Sequence, residues 1–285
     1  MPTVKVLVVG GSGFLGRELV RQSAAAGHDV AASFLSRPPD TDGADWMLLD
    51  VRRSTDVVAV VDAVRPDVVI NAAYRQPDWE ITADGAAHVA LATAAIGARL
   101  VHVSSDAVFS GAAIHYDETC VPDPITPYGA AKAAAETAIR AVCPQAVLAR
   151  TSLIIGDGGS AHETFIHALA AGRREGVLFT DEVRCPVHVT DLAAALLELG
   201  GSDRRGVHHV AGADAVSRYE LGVLVARRDG VDAAALPAGR RPDAGPPRPL
   251  DVRLDCTATR RVLRARLRGA REFLARRQAA GWTAS

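Results

Sequence analysis

Lysine is nearly absent from this chain. Of the 32 basic residues among its 285, only Lys5 and Lys132 are lysine, and the other thirty (32 − 2) are arginine. Acidic residues balance them to a formal net charge of −1, which excludes a strong long-range attraction to nucleic acid or to an anionic membrane. A lysine kept against this background is a candidate for chemistry that arginine performs poorly.

Long apolar runs and paired cysteines are also missing. No apolar run is long enough to span a bilayer, and the first residues lack the basic leader of a signal peptide. The four cysteines form no CxxC pair and are predicted to be reduced and mostly buried. His188 in PVHVTDL has no second ligand at metal spacing, so we expect no metal site. These absences predict a cytoplasmic protein that binds neither nucleic acid nor membrane.

Apolar runs alternate with helical stretches over the first half of the chain. Runs such as VKVLVV, DVVINAA and RLVHVSS are separated by helix-forming segments, and this rhythm predicts an α/β fold with a doubly wound parallel sheet of the Rossmann type. We expect residues 1–152 to form the NAD(P)-binding Rossmann domain. Residues 153–285 should form mainly a smaller α/β substrate-binding lobe, with the chain returning to the sheet around residues 187–212.

Two helix predictions concern the second half of the chain. Asp191 in HVTDLAAALLEL is the predicted N-cap of a helix. The Arg-rich segment TRRVLRARLRGAREFLARR is predicted to form one amphipathic helix with its arginines outward. Its expected inward residues are Val262, Leu263, Leu267, Phe273 and Leu274.

The string VVGGSGFLG places three glycines between the first strand and the first helix. A pyrophosphate at this helix N-terminus must approach the backbone N–H groups closely, so a Cβ would be in the way. We therefore predict a dinucleotide site. Its predicted contacts are Gly10, Ser12, Gly13, Phe14, Leu15, Gly16, Ser36, Arg37, Asp50, Val51, Asn71, Ala72, Ala73, Tyr128 and Lys132.

The end of the second strand indicates which dinucleotide is preferred. The segment AASFLSRPP lacks the Asp or Glu that would accept a hydrogen bond from the ribose 2′-hydroxyl of NAD. Ser36 and Arg37 supply a hydroxyl and a cation instead, and these suit a 2′-phosphate. The residues therefore favour NADP(H), and NAD(H) is the alternative.

The retained lysine belongs to a second motif. Tyr128 and Lys132 in PYGAAKAAAE lie one helical turn apart, so their side chains share a face. A nearby ammonium favours the phenolate and is expected to lower the pKa of the tyrosine, which can then exchange a proton with a carbonyl or an alcohol. Ser105, at the end of RLVHVSS, is expected to hydrogen-bond the substrate carbonyl. Ser105, Tyr128 and Lys132 are the predicted catalytic residues, and Lys132 should also hold the nicotinamide ribose.

These motifs occur together in a known family. GGSGFLG, LLDV, NAA, SSDAVF, PYGAAKAAAE and ARTSLIIG follow the order and spacing of the extended short-chain dehydrogenase/reductases, and the chain most resembles dTDP-4-dehydrorhamnose reductase and its sugar-nucleotide reductase relatives. SSDAVF stands where these have an STDYVF-like segment, which maps their hydroxyl onto Ser105. Thr82 stands where we would place an Asn of the relatives, and Ala107 replaces an aromatic residue. Both departures lie near the expected substrate.

The resemblance implies an NADPH-dependent reductase of the keto group on a nucleotide-activated deoxysugar, or of a similarly shaped ketone. Sugar-nucleotide dehydratases carry an Asp–Glu pair after the hydroxyl residue, and the absence of the second acid here argues against dehydration. A sugar-nucleotide epimerase and a non-catalytic NAD(P)-binding regulatory protein are the alternatives. A homodimer is the default expectation. The weaker candidates for substrate contact are Tyr74, Arg75, Ser104, Asp106 and His162.

Overall fold

The structure is a computed structural model that describes residues 3–40, 43–76, 78–241 and 247–275. Seven parallel strands form its central sheet: β1 Lys5–Val9, β2 Asp29–Phe34, β3 Asp45–Leu48, β4 Val68–Asn71, β5 Arg99–Ser105, β7 Val147–Thr151 and β12 Gly206–His209. Their spatial order is β3-β2-β1-β4-β5-β7-β12. The order of the strands reverses between β1 and β4, which confirms the predicted doubly wound sheet. Ligands of such sheets bind at the carboxyl ends of the strands beside this point.

Helices cover both faces of the sheet. Over the described residues the α-helices, including those of the second lobe, are α1 Phe14–Ala25, α2 Ser54–Val64, α3 Gly85–Ala95, α4 Pro127–Val142, α5 Ala161–Ala170, α6 Val189–Gly200, α7 Arg218–Asp229, α8 Thr257–Val262 and α9 Ala270–Phe273. Side chains alternate along β1, so Val6 and Val8 enter a core under α1 and α6, whereas Leu7 and Val9 enter a core under α2, α3 and α4. A π-helical turn at Glu80–Asp84 precedes α3.

A third apolar core lies outside the sheet, between α5 and α7, where Ile166, Leu169, Leu221 and Val225 are buried. Around it the chain forms short strands of two residues each: β6 His115–Tyr116, β8 Ile154–Ile155, β9 Leu178–Phe179, β10 Val183–Arg184, β11 Val187–His188, β13 Val216–Ser217, β14 Ala238–Gly239 and β15 Arg253–Leu254. Between these elements the chain runs back along the sheet, since α6 packs on α1 and β12 pairs with β7.

Residues 263–274, which we call the clasp, join two of these cores. Leu267 is buried in the core under α1 and α6. Ala270 and Leu274, only a few residues later, are buried in the core between α5 and α7. The clasp therefore ties the sheet to the second lobe.

The predicted N-cap of α6 is wrong. The helix begins directly after His188, whose Nδ1 accepts a hydrogen bond from the backbone nitrogen of Thr190 at 3.3 Å. His188 is therefore the N-cap. Asp191 lies in the first turn, where its Oδ2 accepts from the backbone nitrogen of Arg268 at 3.1 Å and so holds the clasp.

The prediction of one amphipathic helix for the Arg-rich segment is also wrong. The segment leaves the helical conformation after Val262 and becomes helical again at Ala270. Between these points Glu198 of α6 accepts hydrogen bonds from the backbone nitrogens of Arg264 and Ala265 at 2.7 and 2.8 Å. The carboxylate thus satisfies N–H groups that a helix would otherwise bond internally.

Across the described residues, no helix combines the length and the apolar character that crossing a membrane requires. All four cysteines are unpaired, and three of them are buried: Cys143, Cys185 and Cys256. Their burial agrees with the prediction of mostly buried thiols.

Candidate active site

The turn between β1 and α1 is too tight for any residue but glycine at two positions. Gly10 has a φ of 81°, and a Cβ there would lie 2.8 Å from the backbone nitrogen of Ala73. A Cβ at Gly16 would overlap the carbonyl oxygen of Gly10. Gly13 is exposed and caps α1 without any side-chain hydrogen bond, so no side chain occupies the first N–H groups of the helix. A cradle that a Cβ would fill, at a helix N-terminus, fits the pyrophosphate of a dinucleotide.

The residues predicted to meet the adenosine half lie after the next two strands. Ser36 and Arg37 follow β2 and are both exposed. Asp50 follows β3 and pairs with Arg52, with contacts of 2.6 and 2.9 Å. Its hydrogen bonds from the Arg52 guanidinium lower the pKa of Asp50, so this carboxylate is an ionised acceptor.

Other predicted dinucleotide contacts are held by the backbone or by the core. The Oδ1 of Asn71 accepts from the backbone nitrogen of Ala73 at 3.1 Å and fixes the chain that borders the glycine turn. The side chains of Leu15 and Val51 are buried in the cores, which leaves their backbone to face a ligand. The ring of Phe14 packs against Gly156 of the second lobe.

Close packing at the start of α4 brings Tyr128 against Ser105. Thr126 caps the helix, its Oγ1 accepting from the backbone nitrogen of Gly129 at 3.0 Å. A Cβ at Gly129 would overlap the carbonyl oxygen of Ala107, so α4 begins in direct contact with the segment that follows β5. At this contact Ser105 lies close enough to Tyr128 to favour its phenolate, although burial has the larger and opposite effect on the Tyr128 pKa.

Lys132 is buried one helical turn further along α4. Its Nζ donates to the carbonyl oxygen of Val103 at 2.9 Å and lies 5.4 Å from the centre of the Tyr74 ring. The ring centres of Tyr74 and Tyr128 are 6.0 Å apart. Since Tyr74 directly follows the alanine that borders the glycine turn, the Tyr–Lys pair and the dinucleotide cradle are neighbours.

Burial, rather than Lys132, controls the acidity of Tyr128. Burial raises the pKa of Tyr128, and the neighbouring Tyr74 raises it further. The expected lowering of the Tyr128 pKa is therefore wrong, because burial disfavours the charged phenolate. Burial also lowers the pKa of Lys132 to about 8, against the opposing effect of Glu136. At neutral pH Tyr128 is a protonated phenol that can donate a proton.

A buried ion pair lies beside this site and was not predicted from the sequence. Glu136 and Arg150 are fully buried, with 2.8 Å between the Glu136 Oε2 and the Arg150 Nη2. The hydroxyl of Ser104 donates to the Glu136 Oε1 at 2.6 Å. Ser104 is thus turned into the interior, and the structure does not bring it to the cleft.

Asp106 is buried next to the predicted catalytic serine. The hydroxyl of Ser105 donates to the Asp106 Oδ1 at 3.3 Å, and Ser152 donates to the Oδ2 at 2.7 Å. The Oδ2 also lies 3.6 Å from the Nε of Arg184 on β10. Asp106 therefore links Ser105 to a cation of the second lobe.

The polar path continues from Arg184 into the second lobe. Glu182 lies 3.8 Å from Arg184 and accepts from the Nε of Arg218 at 2.9 Å. A nitrogen of Arg218 lies 3.5 Å from the Nδ1 of His162. Arg184, Glu182 and Arg218 connect Asp106 to His162 in space, and sequence reasoning missed them. They come from separate segments of the chain without a common spacing.

His162 lines a cavity of about 180 Å³ in the second lobe. Phe165, Phe179, Arg218 and Arg248 also line this cavity. Burial and the adjacent Arg218 lower the pKa of His162 to about 4, so its imidazole is neutral at pH 7. The cavity therefore combines aromatic rings with two guanidinium groups.

The loop after β4 is fixed by the residue that stands in place of the expected asparagine. Thr82 is buried, and its Oγ1 donates to the carbonyl oxygen of Arg75 at 2.8 Å and accepts from the Arg75 nitrogen at 3.2 Å. The side chain of Arg75 is exposed. Thr82 thus holds the loop that carries Tyr74. In the described part of the chain, no group of three His, Cys, Asp or Glu residues could hold a metal ion.

Comparison with known proteins shows the family. The RmlD substrate binding domain family matches residues 4–280. The chain belongs to this family. It is 33% identical over 245 residues to dTDP-4-dehydrorhamnose reductase of Mycobacterium tuberculosis, which covers 80% of this chain and 76% of that protein. It is 32% identical over 243 residues to the spore coat polysaccharide biosynthesis protein SpsK of Bacillus subtilis, covering 81% of this chain and 82% of that protein.

One solved structure has the same fold over nearly the whole length of this chain. The dTDP-4-dehydrorhamnose reductase of Bacillus anthracis, in complex with NADP, has a TM-score of 0.82 and 25% identity. The match covers 96% of this chain and 97% of that one. The predictions of the fold, of the family and of the enzyme class, an NAD(P)-dependent oxidoreductase, are confirmed.

Proposed function

We propose that this member of the RmlD substrate binding domain family uses NADPH to reduce the keto group of a nucleotide-activated deoxysugar. The observation that carries the proposal is the meeting of Ser105, Tyr128 and Lys132 at the carboxyl end of β5, next to the glycine cradle. Two of the similar proteins described above are dTDP-4-dehydrorhamnose reductases. In this proposal residues 1–152 and 187–212 carry the dinucleotide, and the rest of residues 153–285 shapes the sugar-nucleotide site.

In this proposal Ser105, Tyr128 and Lys132 have different roles in the reduction of the keto group. NADPH supplies the hydride when it is bound. Tyr128, kept protonated by its burial, donates a proton to the keto oxygen. The Oγ of Ser105 is fixed because it accepts from the backbone nitrogen of Ala107 at 3.1 Å. When substrate binds, its hydroxyl hydrogen turns from the Asp106 Oδ1 to the same keto oxygen. Lys132 holds the nicotinamide ribose beside them.

The preference for NADPH over NADH rests on the end of β2. Ser36 and Arg37 are exposed there, and no carboxylate follows the strand in the segment up to Pro39. A guanidinium offers several N–H donors to a 2′-phosphate, whereas a ribose 2′-hydroxyl needs an acceptor. The chain thus provides the partner that NADPH requires.

The nucleotide half of the substrate is assigned to the cavity around His162. Its aromatic rings, Phe165 and Phe179, offer stacking surface for a base, and Arg218 and Arg248 offer positive charge for a diphosphate. The path through Asp106, Arg184 and Glu182 connects this cavity to the catalytic serine, so both ends of one extended substrate meet the same polar network.

A panel of dTDP- and UDP-linked 4-keto-6-deoxy sugars tests the proposal. We expect the wild type to oxidise NADPH with at least one of them, and faster than it oxidises NADH. Tyr128→Phe removes the proton donor and should lower kcat/KM by about 10²–10⁴-fold. Tyr219→Phe, which changes a tyrosine of α7 in the same way, should retain the wild-type rate.

Three outcomes would count against the reductase. The first is NADPH oxidation no faster than that of Tyr128→Phe across the whole panel. The second is purified protein that carries tightly bound NAD and interconverts sugar nucleotides without net NADPH use, which identifies an epimerase. The third is a stable stoichiometric protein partner together with an absence of turnover, which identifies a regulatory protein.

A further inference from the structure

Tyr74 lies where neither the glycine motif nor the Tyr–Lys spacing requires an aromatic residue. Its ring faces the Nζ of Lys132, with 5.4 Å between the nitrogen and the ring centre. The centre of the Tyr128 ring lies 6.0 Å from the centre of the Tyr74 ring. About half of Tyr74, 53%, is exposed. Tyr74 therefore has one face on the ammonium and a free side in the cleft.

The surroundings of Lys132 leave few groups that can stabilise its charge. Lys132 is 2% exposed, and a buried charge is costly unless it is paired. An ammonium has three N–H donors, and the carbonyl oxygen of Val103 at 2.9 Å accepts from one of them. His102 on β5 is fully buried, and burial together with Lys132 keeps its pKa well below the usual value, so it is a neutral neighbour.

The carboxylate nearest along the helix is already engaged. Glu136 accepts from Ser104 and from two nitrogens of Arg150, so its charge is largely balanced by that guanidinium. Tyr128, one turn before Lys132, is a protonated phenol. The face of an aromatic ring attracts a cation, most strongly where water is excluded. Tyr74 is thus, beside the more distant effect of Glu136, a neighbour whose electrostatics favour the ammonium directly.

We propose that Tyr74 is a positioning residue whose ring holds the charged Lys132 by a cation–π contact, between the dinucleotide cradle and Tyr128. This rests on the proposed reductase, in which Lys132 orients the nicotinamide ribose. The ring keeps the ammonium in place and protonated while its exposed side borders the cleft. Phenylalanine could perform this role, but leucine, which covers the lysine equally without a π system, could not.

The scarcity of lysine makes a direct test practical. Protein labelled with ¹³C-lysine carries two lysine side chains, and Lys5→Arg assigns the remaining signal to Lys132. The chemical shift of the Lys132 Cε, followed against pH by NMR, reports the loss of the ammonium proton without any substrate. We expect a midpoint of about 8 in the wild type. Tyr74→Leu should lower this midpoint by about one pH unit, because the ammonium loses its favourable partner.

Two further variants separate the ring from mere bulk. Tyr74→Phe keeps the ring and should keep the wild-type midpoint. Trp79→Leu removes another aromatic residue of the same loop, 48% exposed, and should leave the Lys132 signal unmoved. In activity measurements, the alkaline limb of kcat/KM for Tyr74→Leu should move to lower pH with the lysine midpoint, and activity should recover below that limb.

The outcomes are distinguishable. An unmoved Lys132 midpoint in Tyr74→Leu, or the same shift in Tyr74→Phe, overturns the role of the ring. A shift in Tyr74→Leu that is not matched by the pH profile of an active enzyme also overturns its role in catalysis. A lowered midpoint in protein that oxidises no NADPH supports the contact and overturns the reductase instead.

Discussion

Lys132 is a basic position that arginine cannot fill, although arginine supplies most of the basic residues of the chain. Its ammonium fits between the Val103 carbonyl and the Tyr74 ring, in a site that leaves Lys132 2% exposed. A guanidinium is larger, planar and donates in a fixed fork, so it cannot make the same single contact in the same volume. Lys5, in contrast, lies at the start of β1 with its Nζ 3.5 Å from Asp29 at the surface.

The two lysines provide a matched pair of substitutions. Lys132→Arg should lower kcat/KM for NADPH oxidation by about a hundredfold or more, because the larger cation displaces Tyr74 and Tyr128 from their places. Lys5→Arg changes the same chemistry at an exposed position and should leave the rate unchanged. Steady-state kinetics on both proteins check the prediction. Equal activity of the two variants would show that the lysine has no special role.

At the scale of elements, α4 is the part that aligns the site. Its first turn is pressed onto the segment after β5, where a Cβ at Gly129 would overlap the carbonyl oxygen of Ala107. The same turn carries Tyr128, Lys132 follows one turn later, and one turn beyond it Glu136 is anchored to β5 and β7 through Ser104 and Arg150. The helix is therefore held against the sheet at both ends of the catalytic pair.

Gly129→Ala should separate the catalytic residues without removing any of them. The added methyl group pushes the first turn of α4 away from Ser105, and a displacement of about 1 Å typically costs about a hundredfold in rate. NADPH binding, measured by fluorescence titration, should be weakened far less, since the glycine cradle is untouched. Gly201→Ala, where the nearest atom to a new Cβ lies at 3.6 Å, is the control and should keep full activity. A fully active Gly129→Ala protein would refute this account of α4.

Much of the sheet and of the catalytic motif could be predicted because the signals are local. The glycine turn and the Tyr128–Lys132 step are fixed by spacing within one strand–helix turn or one helix. The predictions that were wrong concern features that depend on residues distant in the sequence. Asp191 was predicted as a cap, but it bonds Arg268 of the clasp. The raised pKa of Tyr128 comes from its burial in the folded protein, and the path through Glu182, Arg184 and Arg218 joins segments that no sequence pattern connects.

At the scale of the whole molecule, the clasp couples the sheet to the second lobe. Leu267 is 5% exposed in the core under α1 and α6, while Leu274 is 2% exposed in the core between α5 and α7. On α6, the carboxylates of Asp191 and Glu198 accept hydrogen bonds from the clasp backbone at Arg268 and Arg264. Loss of either apolar contact therefore weakens the junction across which the sugar nucleotide is proposed to bind.

Leu267→Ala tests this coupling. The substitution leaves a cavity beside α6 and should lower the free energy of unfolding by about 2–5 kcal/mol, as measured by urea denaturation. Leu250→Ala, at a position that is 45% exposed, is the control and should change stability far less. An unchanged urea midpoint for Leu267→Ala would mean that the clasp does not stabilise the sheet.

The clasp is also synthesised after every element that it contacts. While a ribosome is still extending the chain, the sheet with α1 and α6 and the bundle of α5 and α7 can each take shape, but each keeps an open apolar seam. A single short stretch closes both seams, so neither half of the protein reaches its final burial before the other. Until the clasp has been synthesised, the nascent chain exposes apolar surface on both halves. This is the stage at which it is most prone to aggregation.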